Sequence, residues 1–443
     1  MPTHFTFLTP RPSSVSNAYS LFRAQHEEDM NSVSRLTDIL KRFTALCAAV
    51  FFALLPALAS AELVIWHAYR SGEKAAFEKV IEMYNEQQTD ENMKARPLAV
   101  PYDAYADKIT AAIPRGKGPD VYIFAQDRLG GWVEAGKTVE SIDFYVDDEL
   151  LDTLLPGMMQ AMTYRDTIYG IPLNYKSITM IYNKKLVKEP PETVAELLTF
   201  AKTKTNVGSG NFGLAYEYSN YFFHAALMNA FGGQVFEPGP APVIDSPQNI
   251  AAIKEMLRWY KTEGVLPDDP SAALISSLFN TGKAPIVFSG PWFLGEIEGD
   301  VEYGLAPLPT VEAAGGAPMR PWLTIEGVYI SPHSEKMDEA FEFALYLVSE
   351  EAAKVLALEG GQLPTNKAIY ELAEIADNPT LSAFRKQLET AVPMPNYAEM
   401  TMMWSPVTTA MNKIVKGSAS PEVALAEAQE KIKKDIDVLR TSR

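Results

Sequence analysis

The chain has 443 residues, with 39 Lys or Arg against 56 Asp or Glu, so its formal net charge at pH 7 is -17. An acidic chain repels polyanions, and no cluster of Lys and Arg is present to neutralise phosphates, so we expect no nucleic-acid partner. The length exceeds what one hydrophobic core usually supports, which favours two domains.

A secretory signal is the first predicted element. Basic residues precede the apolar run 43–58, and small residues follow at 59–61, which is the order of regions in a signal peptide. The run has about 16 residues, fewer than the roughly 20 that span a bilayer. We expect a signal peptide at 30–61, with residues 1–29 upstream of the true start; a genuine extended leader is the alternative. Cleavage would release a soluble chain into the periplasm, beginning at Glu62.

The single cysteine, Cys47, lies inside this apolar run. We therefore expect the mature chain to have no disulfide, no cysteine nucleophile and no thiolate metal site. A lipoprotein would need the apolar run ahead of its cysteine, whereas here the run follows it. A free periplasmic protein is the prediction.

Short apolar strands alternate with amphipathic helices along the mature chain. The strand-like runs are 63–66, 121–124, 180–182 and 284–289. Apolar residues between 77 and 84 and between 340 and 348 have the spacing of one helix face. Thr193 with Glu196 predicts a capping box, and 420–421 (Ser-Pro) predicts the start of a last helix. This alternation is typical of the α/β class.

No motif in this sequence specifically indicates an enzyme. It has no G-x-S-x-G, H-E-x-x-H, Walker A or G-x-G-x-x-G motif after the signal. The mature histidines, His67, His224 and His333, are too widely spaced to predict a metal site. A glycosidase would use two acids at a set separation, but any acidic sequence supplies candidate pairs. A secreted glycosidase or lyase therefore stays open as an alternative.

Aromatic residues are the remaining signal. Tryptophans occur at Trp66, Trp132, Trp259, Trp292, Trp322 and Trp404, several of them beside glycine or proline in predicted loops. Sugar faces stack on aromatic rings while polar side chains hold the hydroxyls, so this pattern suggests a receptor for an uncharged polar ligand. Each tryptophan taken alone is more often a core residue.

A family resemblance covers nearly all of the mature chain. Residues 118–132 (GPDVYIFAQDRLGGW) resemble the signature segment of bacterial maltose-binding proteins, the solute receptors of sugar ABC importers. Further matching segments follow in the same order: 181–184, 190–193, 279–283, 289–292 and 394–396 with Trp404. One such segment is weak evidence, but the whole series in register identifies the family.

The resemblance implies a two-lobed periplasmic binding protein fold, in which a hinge and several interlobe crossovers join the lobes and the ligand lies in the cleft. The first lobe would be 62–172 plus 330–373, and the second 175–325 plus 378–443. The protein would be a monomer without cofactor or metal that catalyses nothing and delivers a sugar to a membrane permease. The ligand would be a maltodextrin-like or other oligosaccharide; a receptor for a different small polar solute is the closer rival to this function.

The resemblance also assigns site residues. Asp127 and Arg128 would bind sugar hydroxyls from the first lobe, since a carboxylate accepts hydrogen bonds and a guanidinium donates them. Phe124 takes the place of a stacking tryptophan. The aromatic platforms of the second lobe would be Tyr221 or Phe222, together with Trp292 and Trp404.

The chain departs from the family at three acidic contacts. Lys176 and Asn220 stand where maltose-binding proteins have acids, and the stretch from His67 to Arg70 replaces a third. We predict Lys176, Asn220, His67 and Arg70 as further ligand contacts. The alternative for Lys176 is that its side chain points to solvent. Exchanging acceptors for donors alters the pattern that discriminates sugars, so a different disaccharide, a modified sugar or a ligand with an anionic group is open.

Overall fold

A computed structural model describes residues 62–441. The predicted signal peptide at 30–61, the segment 1–29 and Cys47 lie outside these residues. Within 62–441, no helix has the length and the apolar character needed to cross a bilayer.

The strands form two main sheets and three short hairpins. In chain order they are β1 Leu63–His67, β2 Ala95–Ala99, β3 Val121–Ala125, β4 Thr163–Tyr164, β5 Thr167–Ile168, β6 Gly170–Lys176, β7 Thr179–Asn183, β8 Phe236–Glu237, β9 Ala241–Pro242, β10 Ile286–Ser289, β11 Tyr303–Ala306, β12 Thr310–Val311, β13 Ala317–Pro318, β14 Trp322–Ile330 and β15 Val392–Pro393.

The α-helices pack around these sheets. They are α1 Ser71–Gln87, α2 Tyr102–Ala112, α3 Leu129–Ala135, α4 Asp148–Thr153, α5 Met158–Ala161, α6 Val194–Lys204, α7 Tyr221–Ala230, α8 Pro247–Leu257, α9 Ala272–Asn280, α10 Met337–Leu347, α11 Glu350–Leu358, α12 Ala373–Ala376, α13 Pro379–Leu388, α14 Met400–Val415 and α15 Pro421–Thr441. Two 3₁₀ turns, Gln126–Arg128 and Pro291–Glu296, carry residues of the site described below.

The first sheet has the order β15-β14-β3-β1-β2, with β6 also paired to β14. Strand β1 runs parallel to β2 and β3, whereas β14 runs antiparallel to β3 and β6. Its central strands are continuous apolar runs because helices cover both faces of such a sheet. Helix α1 places Phe77, Val80, Ile81 and Tyr84 in this core, which confirms the predicted helix face.

The second sheet is antiparallel and has β7 between β10 and β11. A large buried cluster surrounds it and includes residues of α6, α7, α8, α14 and α15. The predicted capping box starts α6: Thr193 Oγ1 accepts a hydrogen bond from Glu196 N at 3.1 Å, and Glu196 Oε2 accepts one from Thr193 N at 3.3 Å. The last helix begins at Pro421, as predicted.

Strands β6 and β14 connect the two sheets. They pair with Thr324 opposite Lys176, and the chain enters the second sheet at Thr179, three residues after the end of β6. Ser177 Oγ donates a hydrogen bond to Trp322 O at 3.0 Å, which ties the crossing to the start of β14. The predicted lobe boundaries at 172–175 and 325–330 fall in or beside these two strands and stay predictions.

Candidate functional site

Side chains from both sheets converge beside the crossing of β6 and β14. The charged part is the carboxylate-lysine cluster, which we define as Glu73 of α1, Lys176 of β6 and Glu326 of β14. Lys176 Nζ lies 3.0 Å from Glu73 Oε1 and 3.1 Å from Glu326 Oε1. Its side chain is only 12% exposed, so the lysine does not point to solvent. Burial lowers the pKa of Lys176, but the two carboxylates outweigh burial and hold the pKa above its ordinary value.

A hydrogen-bond network extends this cluster into the first sheet. The Tyr69 hydroxyl donates to Glu326 Oε2 at 3.0 Å. Asn174 Nδ2 donates to Gln362 Oε1 at 2.6 Å and to the Tyr69 hydroxyl at 3.3 Å. Because these partners are buried, the network holds Glu326 in place. The cluster contains two carboxylates and one ammonium group.

Asp127 and Arg128 lie in the 3₁₀ turn that follows β3. Gln126 anchors this turn: its Oε1 accepts from Ile325 N at 2.7 Å and its Nε2 donates to Met394 O at 3.2 Å. Asp127 is buried, and its Oδ2 accepts from Trp404 Nε1 at 2.9 Å and lies 3.3 Å from Arg128 Nε. Burial raises the pKa of Asp127, although Arg128 and the indole oppose this rise.

Facing these charges is a row of four rings, Trp404, Trp322, Phe222 and Trp292, which we call the aromatic wall. Ring centroids are 6.0 Å apart for Trp404 and Trp322, 6.3 Å for Trp322 and Phe222, and 6.1 Å for Phe222 and Trp292. Lys176 Nζ lies 5.9 Å from the Trp292 centroid, so the wall adjoins the carboxylate-lysine cluster.

Local chain geometry presents these rings. Trp292 follows Gly290, where an added Cβ would overlap the indole, so only glycine leaves room for the ring. Phe222 lies in the first turn of α7, Trp404 near the start of α14, and Trp322 at the start of β14. Trp322 is buried, whereas the other three rings are half-buried.

Three of the predicted contacts have partners within the protein. Tyr221 is buried, and its hydroxyl donates to Met228 Sδ at 3.0 Å, so Phe222 and not Tyr221 belongs to the wall. Asn220 caps α7, where its Oδ1 accepts from Phe222 N at 3.0 Å. His67 is fully buried against Phe77, and burial, with a smaller effect of Lys74, lowers its pKa to about 4.

Phe124 and Arg70 lie at the edges of the site. Phe124 is only 7% exposed, because Tyr105 and Trp132 pack on it and Tyr102 stacks over it. Arg70 precedes α1, and its Nε lies 2.8 Å from Glu296 Oε1 in the 3₁₀ turn of Trp292.

This ion pair lines a small pocket together with Glu217, Ser289 and Trp292, among other residues. Burial raises the pKa of Glu217 to about 7, although Arg70 and a hydrogen bond from Asn220 lower it. Within the described residues 62–441, no group of three or more His, Cys, Asp or Glu side chains is placed to hold a metal ion.

Sequence reasoning missed Glu73, Glu217, Glu326 and Tyr102. Glu326 had a signal, since it is a charge within the apolar strand Trp322–Ile330 and a buried charge needs a partner. Glu73 had none, because an acid in the first turn of a helix is ordinarily explained by the helix dipole.

Comparison with known proteins identifies the family. A model of the family described as bacterial extracellular solute-binding protein matches residues 79–383. The chain belongs to this family.

This solute-binding protein is similar to two characterised relatives and to a solved structure. It is 30% identical over 389 residues to the maltotriose-binding protein of Pyrococcus abyssi, covering 85% of this chain and 83% of that protein. It is 27% identical over 393 residues to the galactooligosaccharide-binding protein of Bacillus subtilis, covering 85% and 89%. The Thermus thermophilus maltotriose binding protein bound with maltotriose matches with a TM-score of 0.77 and 25% identity, over 85% of this chain and 100% of that chain. The predicted two-lobed α/β fold is confirmed.

Proposed function

We propose that this protein is a periplasmic receptor that binds a neutral oligosaccharide between its lobes and delivers it to the permease of an ABC importer. The observation that carries the proposal is the aromatic wall next to the carboxylate-lysine cluster and Asp127. Stacking surfaces beside hydroxyl acceptors are the combination that a sugar needs, since its faces are apolar and its edges are polar.

The charge of the site favours a neutral ligand over an anionic one. Lys176 already lies between Glu73 and Glu326, so its ammonium group is not available as a lone positive charge. An anionic ligand would meet two carboxylates for one lysine, whereas a sugar hydroxyl donates to carboxylate oxygens. The ligand with an anionic group that the sequence left open is therefore disfavoured.

The relatives support the size of the ligand. One is named for maltotriose and another for galactooligosaccharide, so short oligosaccharides of either linkage type are the first candidates. The three half-buried rings of the wall suit several sugar units better than one, because each unit needs a stacking face of its own.

Titration calorimetry tests the proposal. The protein should bind maltotriose or a galactooligosaccharide and should not bind glucose 6-phosphate, which adds the anionic group to one sugar unit. Mass spectrometry of the incubated sugar should show no product. Tighter binding of the phosphate would contradict the neutral-ligand proposal, and turnover of the oligosaccharide would favour the glycosidase alternative.

We further propose that the lobes 62–172 plus 330–373 and 175–325 plus 378–443 close as rigid bodies about β6 and β14. Two contacts between the first-sheet side and the second-sheet side support closure on a ligand: Trp404 with Asp127 and Arg70 with Glu296. Small-angle scattering of the monomer should give a smaller radius of gyration with saturating maltotriose. An unchanged radius would argue against hinge closure.

A further inference from the structure

Tyr102 is an exposed aromatic residue close to the site. It is the first residue of α2 and is 63% exposed. Its ring lies parallel to that of Phe124, with an interplanar angle of 8° and a centroid distance of 6.2 Å. Exposed tyrosines are common on protein surfaces, so exposure alone assigns no role.

The surroundings of Tyr102 distinguish it from an ordinary surface tyrosine. The charges that act on its hydroxyl include those of Asp127, Lys176, Glu326 and Arg128, which are the charges of the site. Its ring also stacks on Phe124, three residues before Asp127, and leaves an aromatic face open to solvent, as a ligand-stacking residue does.

Phe124 cannot itself offer a stacking face. Tyr105 approaches it edge-on at 5.4 Å and Trp132 at 5.6 Å, while Tyr102 covers the remaining face. The phenylalanine ring thus supports the tyrosine ring and holds it in one orientation. A ring held by packing loses little conformational entropy when a ligand binds.

We infer that Tyr102 is the sugar-stacking residue on the first-sheet side, in the place where the family resemblance assigned Phe124. This inference rests on the proposed function. Its ring would cover the apolar face of one sugar unit, and its hydroxyl would hydrogen-bond a sugar hydroxyl near the charged cluster. The first-sheet side then contributes a stacking surface of its own in addition to its hydrogen-bonding groups.

Calorimetry with maltotriose on the protein secreted from the full-length gene tests the inference. Tyr102→Ala should weaken binding roughly five- to thirtyfold, the loss of one stacked ring, whereas Tyr102→Phe should stay within about threefold of wild type. Phe144→Ala is the matched control, because it removes a 96% exposed ring that packs beside Tyr145, and it should leave affinity unchanged.

A further variant separates Tyr102 from Phe124. Phe124→Leu keeps an apolar side chain under the tyrosine ring and should weaken binding less than Tyr102→Ala does. A larger loss in Phe124→Leu, or wild-type affinity in a folded Tyr102→Ala protein, would overturn the inference and leave the proposed function standing. A wild-type protein that binds no oligosaccharide would instead overturn the proposed function.

Discussion

The first-sheet side of the site carries most of its charge, and the second-sheet side carries most of its rings. The charged residues of this side lie on two strands of the first sheet, on a helix packed against it and in the turn after β3: Lys176, Glu326, Glu73 and Asp127. Phe222, Trp292 and Trp404 come from the elements around the second sheet. The two sides therefore supply different terms of binding: directional hydrogen bonds from one and apolar contact from the other.

This division matches how the groups are held. Hydrogen bonds weaken steeply with angle, so their donors and acceptors need a fixed backbone, and Lys176 and Glu326 lie on paired strands. Apolar contact is not directional, so rings on a helix start or a 3₁₀ turn suffice. Trp404 joins the two sides, because its ring lies in the wall while its Nε1 donates to Asp127.

The largest expected effect comes from removing the positive charge of the cluster. Lys176→Met leaves Glu73 and Glu326 buried without their partner, and the free energy of unfolding should fall by about 3 to 5 kcal/mol. Urea denaturation at pH 7 measures this change. The matched control is Lys185→Met, whose exposed pair with Glu302 at 3.6 Å should contribute less than about 1 kcal/mol. Equal effects of the two substitutions would show that the cluster is not a buried ion pair in solution.

The next effect concerns binding by the wall. Trp292→Ala and Trp404→Ala should each weaken maltotriose binding by about 1 to 3 kcal/mol, since each removes a stacking face. Calorimetry on stable variants measures this loss. Wild-type affinity in both variants would show that these rings pack in the protein and do not contact the sugar.

Phenylalanine at the same positions separates the two roles of Trp404. Trp404→Phe keeps a ring but leaves buried Asp127 without its indole donor, which should cost about 1 to 3 kcal/mol of the free energy of unfolding. Trp292→Phe removes no indole hydrogen bond that the structure records, and it should cost less than about 1 kcal/mol. Thermal unfolding of both variants compares them, and equal losses would argue that the Asp127 bond is not stabilising.

Local patterns in the sequence predicted much of the fold. The strand runs, the face of α1 and the capping box at Thr193 depend on neighbours within one or two turns of chain, and all are confirmed. The resemblance also assigned Asp127 and Trp404 to the same ligand site. No local pattern could do so, because the two residues are 277 positions apart.

Other parts of the site were not predictable from local sequence. The partners of Lys176 come from α1 and β14, and only the folded sheet brings them together. Tyr221 and Phe222 point in different directions because successive helical residues are rotated by about 100°. The burial of His67 did have a signal, since Leu63, Ile65 and His67 alternate onto one face of β1.

The smallest expected effect is the pH dependence of Glu217, one of two acids that line the pocket on the ring-rich side. Its pKa is about 7 in the folded protein against 4.5 ordinarily, so the folded state holds a proton that the unfolded chain has released. The contribution of this proton to stability is complete below pH 4.5 and is lost as the pH rises through 7. Glu217→Gln has no such proton. Relative to Glu217→Gln, the wild type should therefore lose about 1 to 2 kcal/mol between pH 4.5 and 7, less than the full shift because solvent reaches the pocket.

Denaturation of both proteins at several pH values measures this difference directly. Burial lowers the pKa of His67 to about 4 and that of His224 to about 3, so both histidines make the protein less stable in acid. Both proteins contain these histidines, so their effects cancel in the difference. Glu298→Gln, at an exposed glutamate two residues beyond Glu296, is the control and should show no difference from wild type. A flat difference for Glu217→Gln as well would mean that Glu217 is solvated. Glu217 would then carry a negative charge at pH 7, and the contrast in charge between the two sides of the site would be weaker.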